Sequence, residues 1–157
     1  MDNIIFRCAN HTDINALCEF EKEARLTEPN ILQWPFDEVE YKENLLDINF
    51  SDLNHCKIVI AKKDDRILAR CDIAIVLSLV DFKKTGYVDW IYTLINHRNN
   101  GIGKKLLETA EEFFKNNGVE YYYLFTASNE EAYEFYHRQD DLNFYHKEIA
   151  WKGFGLS

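Results

Sequence analysis

From Tyr87 to Ile95 the chain runs through β-branched and aromatic residues almost without a break. From Leu106 the apolar positions change period: Leu107, Ala110, Phe113 and Phe114 return to one face until Gly118 stops the run. That pattern predicts a strand followed by a helix. Elsewhere the same reading gives a short first strand over Ile4 to Cys8. A helix capped by Thr12 follows, with Ile14, Leu17, Cys18 and Ala24 inward. The stretch from Thr27 to Pro35 holds both prolines and reads as a loop. Asp37 with Glu40 suggests a capping box, and Phe36 with Tyr41 a hydrophobic staple, at the start of a second helix that buries Leu45 and Ile48. Lys57 to Lys62 and Ile67 to Leu77 predict two strands joined by a tight turn at Asp64-Asp65-Arg66, with a second connection around Lys83 to Gly86. Beyond Gly118 come a strand from Val119 to Thr126, a helix opened by Asn129 and Glu130, and a last strand from Phe144 to Trp151.

Between the long strand and its helix stands Arg98-Asn99-Asn100-Gly101-Ile102-Gly103. A helix start offers unpaired N–H groups and the positive end of its dipole, and glycines let backbone approach an anion closely. The junction is therefore a candidate phosphate site, with an ordinary glycine turn as the alternative. It lacks the first glycine of a dinucleotide fingerprint and the Gly-Lys-Ser/Thr of a nucleotide P-loop.

A chain of 157 residues with 46% hydrophobic content suits one globular domain over 1–157. No apolar run approaches the ~20 residues of a membrane span, and the first residues do not read as a signal peptide, so the expectation is a cytoplasmic protein with no membrane partner. The net charge of −9 argues against nonspecific nucleic-acid binding and favours a cationic partner, unless the acid serves only solubility. Cys8, Cys18, Cys56 and Cys71 lie apart without a C-x-x-C pair, which predicts buried free thiols and no metal.

Arg98-x-x-Gly101-x-Gly103 resembles the pyrophosphate-binding motif of the GNAT superfamily of acyl-CoA-dependent N-acyltransferases. Asn129-x-x-Ala132-x-x-Phe135-Tyr136 resembles a second segment of that family, on the helix after the fifth strand. The resemblance implies an α/β (α+β) fold: a mixed, mostly antiparallel sheet flanked by helices, whose motif strand and following strand run parallel and then splay apart around the pantetheine arm. The chain departs from the family in three places. Ile95 replaces a frequent proline, Asp140-Asp141 replaces Gly-Phe, and the strand before Asn129 carries Leu124 and Phe125 where some members have a catalytic glutamate. The second change is tolerated if Asp140 adopts the left-handed conformation.

The resemblance implies transfer of an acetyl group from acetyl-CoA to a primary amine by direct attack in a ternary complex. Ile91, Tyr92 and Thr93 then pair with pantetheine, and Arg98, Asn99, Asn100, Gly101, Ile102, Gly103 and Lys104 wrap the pyrophosphate. Arg98 either contacts phosphate or locks the loop, and Asn129 is a cofactor contact, a helix cap or both. Tyr136 is the expected acid for the departing thiolate and Asp89 the expected base, with a strand-end structural role as its alternative. Glu28, Trp34 and Tyr145 are expected at the acceptor, where acid plus aromatic suits an ammonium such as an aminoglycoside or polyamine; Trp34 packing its loop is the plainer alternative. A protein or peptide acceptor, a noncatalytic acyl-CoA-binding module, and a homodimer all remain open.

Overall fold

The computed structural model describes residues 3–51, 55–127 and 129–155. It contains two compact units, Met1–Phe125 and Thr126–Ser157. The first holds strands β1 (Ile4–Cys8), β2 (Cys56–Lys63), β3 (Arg66–Leu77), β4 (Lys84–Thr93) and β5 (Val119–Leu124), with helices α1 (Ile14–Thr27), α2 (Glu38–Asp47) and α3 (Ile102–Asn116). The second holds α4 (Glu130–His137). Among the described residues no helix is long and apolar enough to cross a membrane.

The five strands form one sheet in the order β1-β2-β3-β4-β5. The first four run antiparallel, β1 reaching β2 through α1 and α2 and β2, β3 and β4 following one another through short connections; β5 returns beside β4 in parallel after α3. Each face of the sheet carries a core. On one, Leu17, Phe20 and Ala24 of α1 and Leu45 of α2 pack with Ile60, Ile67, Tyr92 and Leu94. On the other, Leu106, Leu107, Ala110 and Phe114 of α3 pack with Val59, Ala61, Cys71, Ile73 and Val88. The helical periodicity of both α1 and α3 thus points at the sheet, as an apolar stripe must.

Local signals placed most of the elements. Asp37 accepts from the N–H groups of Val39 and Glu40 at 2.9 and 3.1 Å, and the Phe36 and Tyr41 rings meet at 5.3 Å, which is the expected staple. Asn129 caps α4 by accepting from Ala132 N at 2.8 Å.

Several expectations are corrected. Thr12 lies inside a 3₁₀ turn, His11–Asp13, whose cap is Asn10; Thr12 donates to the Asn10 side chain rather than capping α1. Residues 84–86 belong to β4, so the second connection is the loop 78–83. Cys18 and Cys71 are buried thiols, but Cys56 is exposed. The segment from Phe144 to Trp151 joins no ladder among the described residues. An isolated strand has no stability of its own, and Phe144 instead stacks on the His137 ring at 3.9 Å, which stacks in turn on Tyr133 at 3.8 Å. Asp140 does not take a positive φ; the chain turns there through a Leu142 N–H to Gln139 carbonyl bond of 3.4 Å.

Candidate active site

Two features of β4 shape the site. The parallel pairing to β5 ends at the Val88–Leu124 rung, while β4 continues to Thr93 against β3 alone. Along 89–93 the edge away from β3 therefore has no ladder partner among the described residues, so its alternating N–H and C=O groups lie outside the sheet bonding. The second feature is a bulge. Adjacent β3 residues Asp72 and Ile73 pair with Trp90 and Val88, so Asp89 is one extra residue. It inverts the alternation of the strand: Val88 faces the α3 core before it and Ile91 after it, whereas Trp90 and Tyr92 turn toward α1 and α2. There their rings stack at 5.5 Å and 18°.

Beyond the strand, Asn99 (φ 60°) and Gly101 (φ 75°) are both left-handed, a conformation that suits Asn and Gly. The turn ends in α3, where Lys105 N bonds the Gly101 carbonyl at 3.0 Å. The N–H groups of Ile102, Gly103 and Lys104 precede the first helical acceptor and point out of the helix end. No acidic residue occupies that first turn, and Lys104 and Lys105 stand close by. This donor set fits a diphosphate, and the open strand edge beside it fits an amide-bearing arm.

Arg98 is committed in another direction. Its Nε donates to the Thr93 carbonyl at 2.9 Å, Nη1 to Glu28 Oε1 at 3.1 Å and Nη2 to Glu28 Oε2. The Tyr92 hydroxyl donates to the same carboxylate, and the guanidinium lies 5.2 Å from the Tyr92 ring. Glu28 itself is fixed at the end of α1, its N–H bonding the Ala24 carbonyl at 3.0 Å and its own carbonyl accepting from Ile31 and Leu32. Burial pushes the Glu28 carboxyl up, but Arg98 and Tyr92 outweigh it and hold it below the usual carboxylate range. The Tyr92 phenol is driven well above its usual range by burial and by the Glu28 charge.

Of the other expected site residues, Asp89 is exposed at the bulge beside the Tyr87 phenol. Trp34 is 69% exposed, so its ring does not pack the loop into the core. Tyr145 (80% exposed), Asn129 and Tyr136 belong to the second unit, where Tyr136 is the buried position of α4 and meets Phe135 edge-on at 5.2 Å. A further network, not expected from the sequence, centres on Arg70. Arg70 pairs with Asp72 (2.8 Å twice), Glu21 (2.7 Å) and the Tyr41 hydroxyl (2.5 Å) beneath the Trp90 ring. Burial raises the Asp72 carboxyl despite Arg70. Its signal in the sequence was two charges, Arg70 and Asp72, two residues apart in an otherwise apolar strand.

The sequence model of the Acetyltransferase (GNAT) family matches residues 17–140. The chain belongs to the GNAT acetyltransferase family. None of the curated proteins matches it. Solved structures with the same fold include an aminoglycoside acetyltransferase, meta-AAC0020, from an uncultured soil metagenomic sample in complex with sisomicin. It is 14% identical, with 96% of this chain and 98% of that one covered and a TM-score of 0.72. Aminoglycoside N-acetyltransferase AAC(6')-Iy in complex with CoA is 16% identical, with 96% and 95% covered and a TM-score of 0.73. The ribosomal-protein-alanine N-acetyltransferase of Brucella melitensis biovar Abortus 2308 is 15% identical, with 95% and 99% covered and a TM-score of 0.72. At these identities the likeness establishes the shared fold. The GNAT family uses acetyl-CoA as its acyl donor, a molecule whose diphosphate and amide-bearing arm suit the donor-rich turn and the open strand edge.

Proposed function

We propose that this GNAT protein is an N-acetyltransferase that moves an acetyl group from acetyl-CoA to the primary amine of a small cationic acceptor. Aminoglycosides and polyamines are the first compounds to assay. The observation that carries the proposal is the end of β4–β5 pairing at Val88, immediately before the left-handed turn and the open start of α3. The two compact units act on this reading as one catalytic domain over 1–157, which the family match across their boundary supports. Acetyl-CoA, when bound, supplies the activated acyl carbon. Backbone of Ile91, Tyr92 and Thr93 pairs with its pantetheine arm, and backbone from Asn99 to Lys104 receives the pyrophosphate, with Asn129 a further contact. The Arg98 side chain fits the locking role, because Glu28 and Thr93 occupy its donors.

Asp89 takes a proton from the acceptor ammonium, directly or through one water. The freed amine attacks the thioester carbon, forming the C–N bond, while open N–H groups of the β4 edge stabilise the oxyanion. Collapse breaks the C–S bond; Tyr136 gives its proton to the thiolate, and the excess proton on nitrogen leaves to solvent. Free thiols and dependence on acetyl-CoA suit a cytoplasmic setting. The test is thiol release from acetyl-CoA across aminoglycosides, polyamines, amino acids and peptides, together with calorimetry on Gly103→Val. A Cβ chain at that point intrudes on backbone that must touch pyrophosphate, so acetyl-CoA affinity falls in a folded variant. Parental affinity in that variant would sink the proposal. For a cationic acceptor the apparent affinity weakens with added salt, and a preference for an anionic amine such as aspartate refutes that part.

A further inference from the structure

Where β4 and β5 part, the next residue of each strand is Asp89 on one side and Phe125 on the other. The Tyr87 ring lies beside both, 5.9 Å from Phe125 and 5.1 Å from Tyr123, on the sheet face opposite the α3 core. Tyr123 and Phe125 are 47% and 58% exposed, and Tyr121, 61% exposed, continues the row. Alternation along β5 puts these rings about 6.6 Å apart on one side. Exposed aromatic rings in a row, closed at one end by a carboxylate, form a surface with two distinct parts.

The charge balance of this face is what selects the occupant. Asp72 and Glu21 are paired with Arg70, and Glu28 with Arg98. Among the described residues, Asp89 is the carboxylate of this face that no arginine or lysine holds. It abuts the Tyr87 hydroxyl, whose titration is raised by burial and by the Asp89 charge. One carboxylate satisfies one ammonium. A polycationic sugar would leave its remaining charges without a carboxylate and its hydroxyls over apolar surface. An alkyl or aryl stem, by contrast, covers Tyr123 and Phe125 and gains both apolar burial and cation–π contact.

We infer that Tyr87, Tyr123 and Phe125 with Asp89 form the acceptor seat, and that it takes a primary amine carrying a single positive charge on an apolar stem. The amine's fate rests on the acetyl-transfer reading, but its seating does not require turnover. The test uses the full chain with n-hexylamine, hexan-1-ol and kanamycin as calorimetric probes, and the two amines as acceptors in thiol release. Hexylammonium is expected to bind at least tenfold tighter than hexan-1-ol and tighter than kanamycin. Exchanging two exposed rings in Tyr123→Leu/Phe125→Leu weakens hexylammonium roughly tenfold while acetyl-CoA affinity stays parental; Tyr123→Phe, which keeps the ring, restores it. Kanamycin binding more tightly than hexylammonium to the parental protein, or hexylammonium affinity indifferent to the leucine pair, overturns the seat and leaves acetyl transfer standing. Ring-dependent binding without thiol release from any amine supports the seat and overturns the transfer reading instead.

Discussion

Exchanging Glu28 for Gln tests whether this residue is a strut or an acceptor contact. The exchange keeps size and removes charge. In the native protein the carboxylate receives two donors from Arg98 and one from Tyr92, with side-chain exposures of 10% for Glu28 and 16% for Arg98. A glutamine offers one acceptor oxygen and turns an NH₂ toward a guanidinium, so at least one charge-assisted bond is lost and a half-hidden cation loses its counter-charge. Breaking a fully buried pair costs ~3–5 kcal/mol, and an exposed one ~0–1 kcal/mol. The partial exposure here and the retained Thr93 contact place the cost at about 2 kcal/mol. For a chain of this size that is a fall in Tm of roughly 4–8 °C.

Urea unfolding and a thermal melt measure the loss, and calorimetry with acetyl-CoA measures what the unclamped loop costs in binding; about tenfold weaker affinity is expected. Glu28→Asp, charged but shorter, recovers part of both. The carboxyl is held below its ordinary range, so its contribution to stability is full above about pH 4.3 and is lost as pH falls through the folded value. The gap between parental protein and Glu28→Gln therefore narrows below pH 4. Unfolding free energies within 0.5 kcal/mol of each other refute the strut. A rise in acceptor KM alone, with stability and acetyl-CoA affinity intact, returns Glu28 to the substrate-binding role expected from sequence.

Gly86→Ala places a Cβ 2.8 Å from Tyr122 Cβ and 2.9 Å from two ring atoms of Phe114, so β4, β5 and α3 cannot all keep their places; urea unfolding registers a loss of about 1–3 kcal/mol. Asp13 is fully buried between Arg7 (2.6 and 2.9 Å) and Lys62 (2.9 Å), and Asp13→Asn leaves two cations without a counter-charge, for a loss of ~3–5 kcal/mol by the same measurement. Burial pushes that carboxyl up, but Arg7, the Asn10 N–H and Lys62 pull it far below its ordinary value. Its stabilisation is complete above about pH 4 and drains away as acid is added, which circular dichroism follows between pH 4 and pH 2. Tyr136→Phe keeps the ring, and in the folded variant single-turnover transfer falls by about 10²-fold at parental acetyl-CoA affinity; an unchanged rate removes Tyr136 from the mechanism.

What the sequence determined by itself is whatever depends on near neighbours. The period of Leu106 to Phe114, the Asp37 cap with its Phe36–Tyr41 staple and the Asn129 cap each involve residues a few positions apart, so composition and spacing suffice. The pattern of Arg98, Gly101 and Gly103 placed the donor-rich turn for the same reason. Where the local signal named a residue type but not its partner, the reading failed: Thr12 bonds the Asn10 side chain while Asp13 stands at the start of α1, and Phe144 went to the His137 ring instead of a strand. Tertiary structure decided the rest. Strand register makes Asp89 a bulge and turns Trp90 and Tyr92 to the other face, and no window of β4 alone carries that register. Arg98 and Glu28 stand 70 residues apart, and Arg70 and Glu21 stand 49 apart. Which carboxylates are spent on arginines, and which one faces the aromatic row, follows from packing two helices on a twisted sheet, because charge pairing depends on distance in space and the sequence orders residues only along the chain.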